Sequence, residues 1–208
     1  FNARGYTTSA KLHPHNDSAD LVGLLCMRQA KTGGATMIAS ALTIYNEILA
    51  AHPDYLDVLY DGFHYDIRGE GTTSDPNEVT RNRVPLYSYF DDRLSCRYNS
   101  RAILTAADKM KKPLSETERG AVELIAQLAI DPAVRHDMVM QPGDLQILNN
   151  HMVLHSRTAF EDWPEAERRR LLLRLWVNRR PGEARDLAPE FANRYNTGHR
   201  QGVALAAS

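Results

Sequence analysis

Two short polar segments at opposite ends of the chain constrain its fold more than anything between them. His15-Asn16-Asp17 stands near the front, and His155, Arg170 and Arg174 stand near the back, with about 140 residues between the first and last histidine of the set. If these residues serve one site, the chain must return on itself until its first and last strands share a cavity. The local patterns suit that return. In a strand, residues i and i+2 point to the same side, so His15 and Asp17 can present an imidazole and a carboxylate together while Asn16 points elsewhere. Arg170, Leu172 and Arg174 alternate on one face of a closing strand. Asp20 to Met27 (DLVGLLCM) is a near-continuous apolar run of strand length, suited to a buried strand.

The stretch between them reads as short strands with a few inserted helices. Lys11 to Asp17 is a first strand, and Gly33-Gly34 supplies a turn at low steric cost before a strand over Ala35 to Ala39. Ser40 is placed to cap a helix whose apolar positions are Leu42, Tyr45, Ile48 and Leu49, and Pro53 opens a second helical piece. Val84 to Tyr98 reads as a hairpin turning at Asp91-Asp92. Ser115 with Glu118 forms a capping box, and Val122, Leu124, Ile125, Leu128 and Ala129 give that helix its buried side. Strand pieces follow at Leu145 to Leu148 and Met152 to His155, and the last runs from Arg170 to Val177. This order fits a mainly β fold with inserted helices, a jelly roll of the cupin-like, double-stranded β-helix type. Gly69 to Arg83 has few apolar residues and is expected to be a mobile loop, read as a lid over the site in preference to a plain surface connector.

Composition narrows the class. The chain has 208 residues, enough for one substantial core, and its 43% hydrophobic and 25% charged content is that of a soluble globular domain. A net charge of -1 without a basic run gives no footprint for nucleic acid. No apolar stretch is long enough to span a membrane. Cys26 and Cys96 read as buried free thiols of a cytoplasmic protein, with a single disulfide as the alternative. The first residue is Phe1, and the first motif arrives within fifteen residues. Residues 1–208 are therefore expected to be one domain forming the C-terminal part of a longer chain, with room left for a homo-oligomer.

Each motif has a bland reading. H-x-D alone is short enough to be an exposed histidine and a turn aspartate. His155 alone is a strand-end histidine. The arginines, helped by Arg168 and Arg169, can be the solvated face of an edge strand. Together they carry more. Two histidines and one carboxylate are the set that holds non-haem Fe(II) while leaving coordination positions open. Two inward arginines on an apolar strand are costly to bury unless they meet anions. His13 shares a strand face with His15, but Pro14 disturbs pairing beside it and only His15 completes H-x-D.

The segments LHPHNDSADLVGLLCMRQAKTGGATMIAS, PGDLQILNNHMVLHSRTAF and RLLLRLW, spread over nearly the whole chain, resemble the taurine dioxygenase and clavaminate synthase-like group of Fe(II)/2-oxoglutarate oxygenases. The resemblance implies His15, Asp17 and His155 as iron ligands. It implies Arg170 as the partner of the distal carboxylate of 2-oxoglutarate, Thr36 as a second contact to that carboxylate, and Arg174 as a contact to co-substrate or substrate. It further implies Fe(II), 2-oxoglutarate and O₂ as the reactive set, a small-molecule substrate hydroxylated at a C–H bond, and succinate and CO₂ as co-products. Family members usually carry further residues before the H-x-D. Two other classes stand beside this one: a jelly-roll binding protein that has lost turnover, and a zinc hydrolase using the same His/Asp/His ligands. The hydrolase gives no reason for Arg170 and Arg174, and the chain has no H-E-x-x-H helix.

Overall fold

The structure, a computed structural model, describes residues 8–69, 71, 73, 75–179, 186–192 and 196. Its elements in chain order are β1 (Leu12–His15), β2 (Leu21–Arg28), β3 (Thr32–Gly33), β4 (Thr36–Ser40), α1 (Ala41–Ala51), α2 (Leu56–Asp61), β5 (Tyr87–Phe90), β6 (Arg93–Cys96), α3 (Ser100–Met110), α4 (Glu116–Leu128), β7 (Arg135–Met138), β8 (Leu145–Asn149), β9 (Val153–Arg157), β10 (Phe160–Glu161), β11 (Leu171–Val177) and α5 (Pro189–Ala192). One sheet has the order β1-β9-β4-β7 and a second the order β11-β2-β8, with β10-β3 and β5-β6 as two-stranded ribbons. This is the expected jelly roll. Chain-distant strands neighbour one another, and every named pair is antiparallel.

The alternation of β4 and β9 explains where the core sits. Ala39 pairs with Leu154, and both belong to the main apolar cluster, which also holds Ile44 and Ile48 of α1, Leu59 of α2, Tyr87 of β5 and Val122 and Ile125 of α4. The apolar face of this sheet is thus turned toward the inserted helices. The opposite face carries Thr36 paired with Arg157, and Ile38 paired with His155. Since successive side chains leave a strand on opposite sides, a single register gives the sheet a dry face under the helices and a polar face toward the site.

Local signals mostly act as anticipated. Ser40 Oγ accepts from the Thr43 N–H to start α1, and Ser115 with Glu118 completes both halves of a capping box. Asp91 and Asp92 both have positive φ, 50° and 56°, which gives a two-residue hairpin turn the twist its strands need. Gly62 has φ 76°, and a Cβ there would lie 2.1 Å from the Val84 carbonyl oxygen, so only glycine fits between α2 and the strand-like stretch it meets. Three details differ from the sequence reading. The buried stripe of α1 is Ala41, Ile44 and Ile48, while Leu49 is exposed, because tertiary contact rather than the longest side chains selects the face. Helix α3, capped by Asn99 and burying Ala102, Ile103 and Ala106, was not anticipated, since small residues give a weak periodic signal. Strand β7 (RHDM) was also missed, as its polar sequence suits an edge position beside β4.

Cys26 and Cys96 are both buried and free, so the disulfide alternative falls. No helix among the described residues is long and apolar enough to cross a membrane.

Candidate metal centre and its two cavities

Strand β1 lies directly beside β9, and the register places His15 opposite His155. Opposed residues of an antiparallel pair stand within touching distance, and the two imidazole centroids are 4.4 Å apart. Asp17 reaches the same point from the connection between β1 and β2. Strand β1 ends at His15, so the strict i, i+2 alternation expected of H-x-D does not deliver the carboxylate. Hydrogen bonds from neighbouring asparagines do so instead. Asn16 Nδ2 donates to the carbonyls of Asn150 and Val153, and its Oδ1 accepts from the Tyr98 N–H. Asn150 Oδ1 accepts from the Asp17 N–H, and its Nδ2 donates to the carbonyls of Asp17 and Ala19. Both amides are buried, and together they clamp the H-x-D backbone to the turn between β8 and β9.

The result is one group of three donors, His15, Asp17 and His155, with their ligating atoms all within 4.8 Å of one another. His15 Nε2 lies 3.7 Å from Asp17 Oδ1, and His155 Nε2 lies 3.7 Å from Asp17 Oδ2. The Nδ1 of His15 is 2.8 Å from the His13 carbonyl. Donation to that carbonyl fixes the tautomer with the proton on Nδ1 and leaves the Nε2 lone pair aimed at the shared point. His13 therefore serves through its backbone and stays outside the set. The Nδ1 of His155 is buried with no partner among the described residues.

Charge accumulates here in a way that suits a cation. Asp17 is buried, which alone raises its pKa, but the nearby His15, His155 and Arg174 and the Trp176 hydrogen bond outweigh this and lower it. Trp176 Nε1 donates to Asp17 Oδ2 at 2.9 Å, and Arg174 Nη1 stands 3.5 Å from both carboxylate oxygens. His155 is driven down to about 3 by burial and then by the neighbouring His15 and Arg174, against the pull of Asp17. Burial thus favours the neutral ring, the form in which an imidazole ligates a metal. Two imidazoles and a carboxylate form the donor set of a facial site with open positions, and the residues fit Fe(II) in this arrangement. Sequence reading missed Trp176, although its even-numbered place on β11 beside Arg174 is a usable signal.

A cavity opens on each side of the triad. The larger, about 960 Å³, is lined by His15, Thr36, His155, Arg157, Arg170 and Arg174 among others. Arg170 lies one residue ahead of β11, just before the Leu171–Leu172 irregularity in the pairing with β2. Its N–H is held by Asp162 Oδ1 at 2.7 Å. Gly34 leaves it room: a Cβ there would come 3.3 Å from Arg170 Nε. Arg157, which the sequence reading overlooked, stands near the same Phe160 ring as Arg170, with guanidinium-to-ring distances of 4.6 and 5.2 Å. Burial lowers the pKa of both guanidinium groups, and the charge of Arg170 lowers that of Arg157 further. Two cations held in one cavity favour a ligand with negative charge. Thr36, buried on β4, lines the same space and pairs with Arg157 across the sheet. Five of the six residues singled out from the sequence thus line this cavity, and the sixth, Asp17, meets His15 and His155 at its edge.

The smaller cavity, about 240 Å³, is lined by His15 and Asp17 of the triad together with Arg174, Ser18, Arg97, Asn99 and Trp176. Asp66, Ile67 and Arg68, just before the polar loop, contribute to its wall. The described residues of 69–83 line neither cavity. They are tied to α3 and Asn196 instead: Lys109 Nζ contacts the Pro76 carbonyl, and Asn196 Nδ2 donates to Glu78 Oε1 and the Val79 carbonyl. The geometry favours the connector over the lid for these residues; residues 70, 72 and 74 lie outside the described set.

Comparison with known proteins agrees with the geometry. The family described as "Taurine catabolism dioxygenase TauD, TfdA family" matches residues 2–176. FR-33289 synthase of Streptomyces rubellomurinus is 34% identical over 207 residues, which cover 98% of this chain and 58% of that protein. A taurine hydroxylase-like protein of Stachybotrys chartarum is 30% identical over 165 residues, covering 77% of this chain and 40% of that protein. The matches thus span 58% and 40% of the length of these two relatives. Among solved structures, asparagine oxygenase in complex with Fe(II), 3-hydroxyasparagine and succinate superposes with a TM-score of 0.62 at 20% identity, covering 84% of this chain and 52% of that one. A non-haem iron oxygenase in complex with Fe and alpha-ketoglutaric acid gives 0.57 at 18% identity, covering 82% and 50%. These likenesses show that the fold is shared.

Proposed function

The chain belongs to the TauD/TfdA dioxygenase family, and from that premise we propose that it is an Fe(II)- and 2-oxoglutarate-dependent dioxygenase that hydroxylates a C–H bond of a small molecule. The balanced reaction is R–H, 2-oxoglutarate and O₂ going to R–OH, succinate and CO₂. The observation that carries this reading is the meeting of His15 Nε2, His155 Nε2 and the Asp17 carboxylate at one point, with a cavity lined by Arg157 and Arg170, among other arginines, beside it. A zinc hydrolase would use the three donors but has no need of Arg157 and Arg170. On the same reading, residues 1–208 act as one oxygenase domain.

His15, Asp17 and His155 would hold the metal on one face and leave the rest of its coordination sphere for the co-substrate and O₂. When bound, the iron with 2-oxoglutarate supplies the oxidising chemistry. The protein's part is positioning. Arg170 takes the distal carboxylate through two parallel hydrogen bonds, with Thr36 as its neighbour and Arg157 adding positive potential. Trp176 and Arg174 hold the Asp17 carboxylate in one orientation, as partners of a metal ligand generally do. The peptide clamp from Asn16 and Asn150 keeps the H-x-D segment in place without occupying the site.

The testing experiment is succinate release under air with Fe(II) and 2-oxoglutarate, alone and with a panel of small molecules. Succinate formation that requires both Fe(II) and 2-oxoglutarate supports the proposal. A protein that binds 2-oxoglutarate yet forms no succinate with any panel member would be a jelly-roll binding protein instead.

A further inference from the structure

We propose that Arg97 is the docking group for a compact oxyanion carried by the substrate, bound in the smaller cavity beside the triad. The identity of that anion's bearer as the substrate rests on the oxygenase reading; the anion site itself does not. Arg97 directly follows β6, is 7% exposed, and lines the cavity together with His15, Asp17 and Arg174. Its Nη1 donates to Ser18 Oγ at 3.3 Å, and its guanidinium lies 4.8 Å from the centre of the Tyr65 ring. Its Nε is buried with no hydrogen-bond partner among the described residues. No carboxylate pairs with it among the described residues. Arg83 and Arg135, by contrast, are paired with Glu118 and Asp137. Asp66 lines the same cavity, but its Oδ1 is held by Lys109 Nζ at 2.7 Å.

A buried guanidinium without an anion is expensive, and an aromatic face and one hydroxyl meet only part of its hydrogen-bonding capacity. The surroundings add to the imbalance. Lys11, Arg68 and Arg101 stand on the same cavity, so cationic side chains outnumber Asp17 and Asp66 there. The planar fork of arginine matches two oxygens of a carboxylate, sulfonate or phosphonate. A volume near 240 Å³ suits a small molecule. An oxyanion fixed on Arg97 would hold the remainder of such a molecule against the wall that carries the triad, which is the positioning a directed C–H oxidation needs. Arg97 is a specificity-determining residue in this account, separate from the arginines of the larger cavity.

The test uses the metal-loaded protein kept anaerobic and saturated with 2-oxoglutarate, so that the larger cavity is filled. Acetate, methanesulfonate and methylphosphonate are titrated separately by calorimetry, and their ranking identifies the oxyanion class. At least one should bind, and the Arg97→Met variant should bind it about tenfold or more weaker, with Arg97→Lys in between. Equal binding by Arg97→Met, or no binding of any of the three to the parent protein, overturns the proposal. If Arg97→Met does not fold, the parent protein alone decides: dimethyl methylphosphonate, which has the shape but no charge, should bind at least tenfold weaker than methylphosphonate, and equal binding sinks the idea. Succinate formation by the parent is measured in parallel. Its absence would remove the oxygenase reading while leaving the calorimetry to judge Arg97.

Discussion

Replacing Arg170 with methionine should weaken 2-oxoglutarate binding by roughly 30- to 150-fold while leaving the metal in place. Arg170 is half-buried, its backbone is pinned by Asp162, and Gly34 is the residue that makes room for its side chain. Methionine fills much of the same volume without charge, so the change removes the guanidinium and little packing. Loss of one partner from a desolvated, hydrogen-bonded charge pair costs about 2–5 kcal/mol. Arg157 remains in the cavity, beside Phe160, and retains part of the positive potential. That argues for the lower part of the range, about 2–3 kcal/mol, which gives the stated factor at about 1.4 kcal/mol per tenfold. The assay is an anaerobic titration of the Fe(II)-loaded protein with 2-oxoglutarate, followed by the charge-transfer absorption of the complex, alongside a separate metal titration. A change below threefold would show that Arg170 does not receive the carboxylate. Parallel loss of metal affinity would show that the substitution acts on the triad and not on the anion cavity.

Trp176→Phe removes the 2.9 Å hydrogen bond to Asp17 Oδ2 while keeping an aromatic ring; metal affinity should fall about tenfold, and an unchanged metal titration would deny Trp176 its orienting role. Asn150→Leu leaves the Asp17 N–H and the Ala19 carbonyl without their buried partner, so urea unfolding should show a loss of about 2–4 kcal/mol, and a loss under 1 kcal/mol would mean the clamp is dispensable. The pH dependence of the metal-free protein follows from His155, whose pKa in the fold is lowered to about 3 from an ordinary 6.5. Below pH 6.5 the unfolded chain takes up a proton that the folded one refuses, so this contribution is complete above pH 6.5 and is lost as pH falls toward 3. The slope from this one group is at most about 1.4 kcal/mol per pH unit. Unfolding free energies at pH 7.5, 6.0 and 5.0 should therefore drop more steeply for the parent than for His155→Gln, and parallel slopes would contradict a buried neutral imidazole.

Much of this protein was legible one segment at a time. The H-x-D, the distant His155 and the alternating Arg170 and Arg174 announced their chemistry through residue type and spacing. The caps at Ser40 and Ser115 and the Asp91-Asp92 turn announced elements, because each is satisfied by backbone groups within a few residues. Helix α3 and strand β7 gave no such signal: the first buries small residues, and the second is a polar edge strand whose existence depends on β4 offering it hydrogen bonds. The site shows the same division. Residue chemistry alone nominated His15, Asp17 and His155, but the pairing of β1 with β9 decides that the two histidines oppose one another. The Asn16 and Asn150 clamps, contacts about 130 residues apart in sequence, decide where Asp17 points once β1 has ended. The roles of Arg157, Trp176 and Arg97 were not legible for the same reason. Each gains its role from what a chain-distant segment places in front of it: Arg170, the Asp17 carboxylate, and the small cavity beside the triad. Spacing along the chain determines which face of its own strand a side chain takes. Register between strands determines what that face meets, and register is set by the packing of the whole sheet.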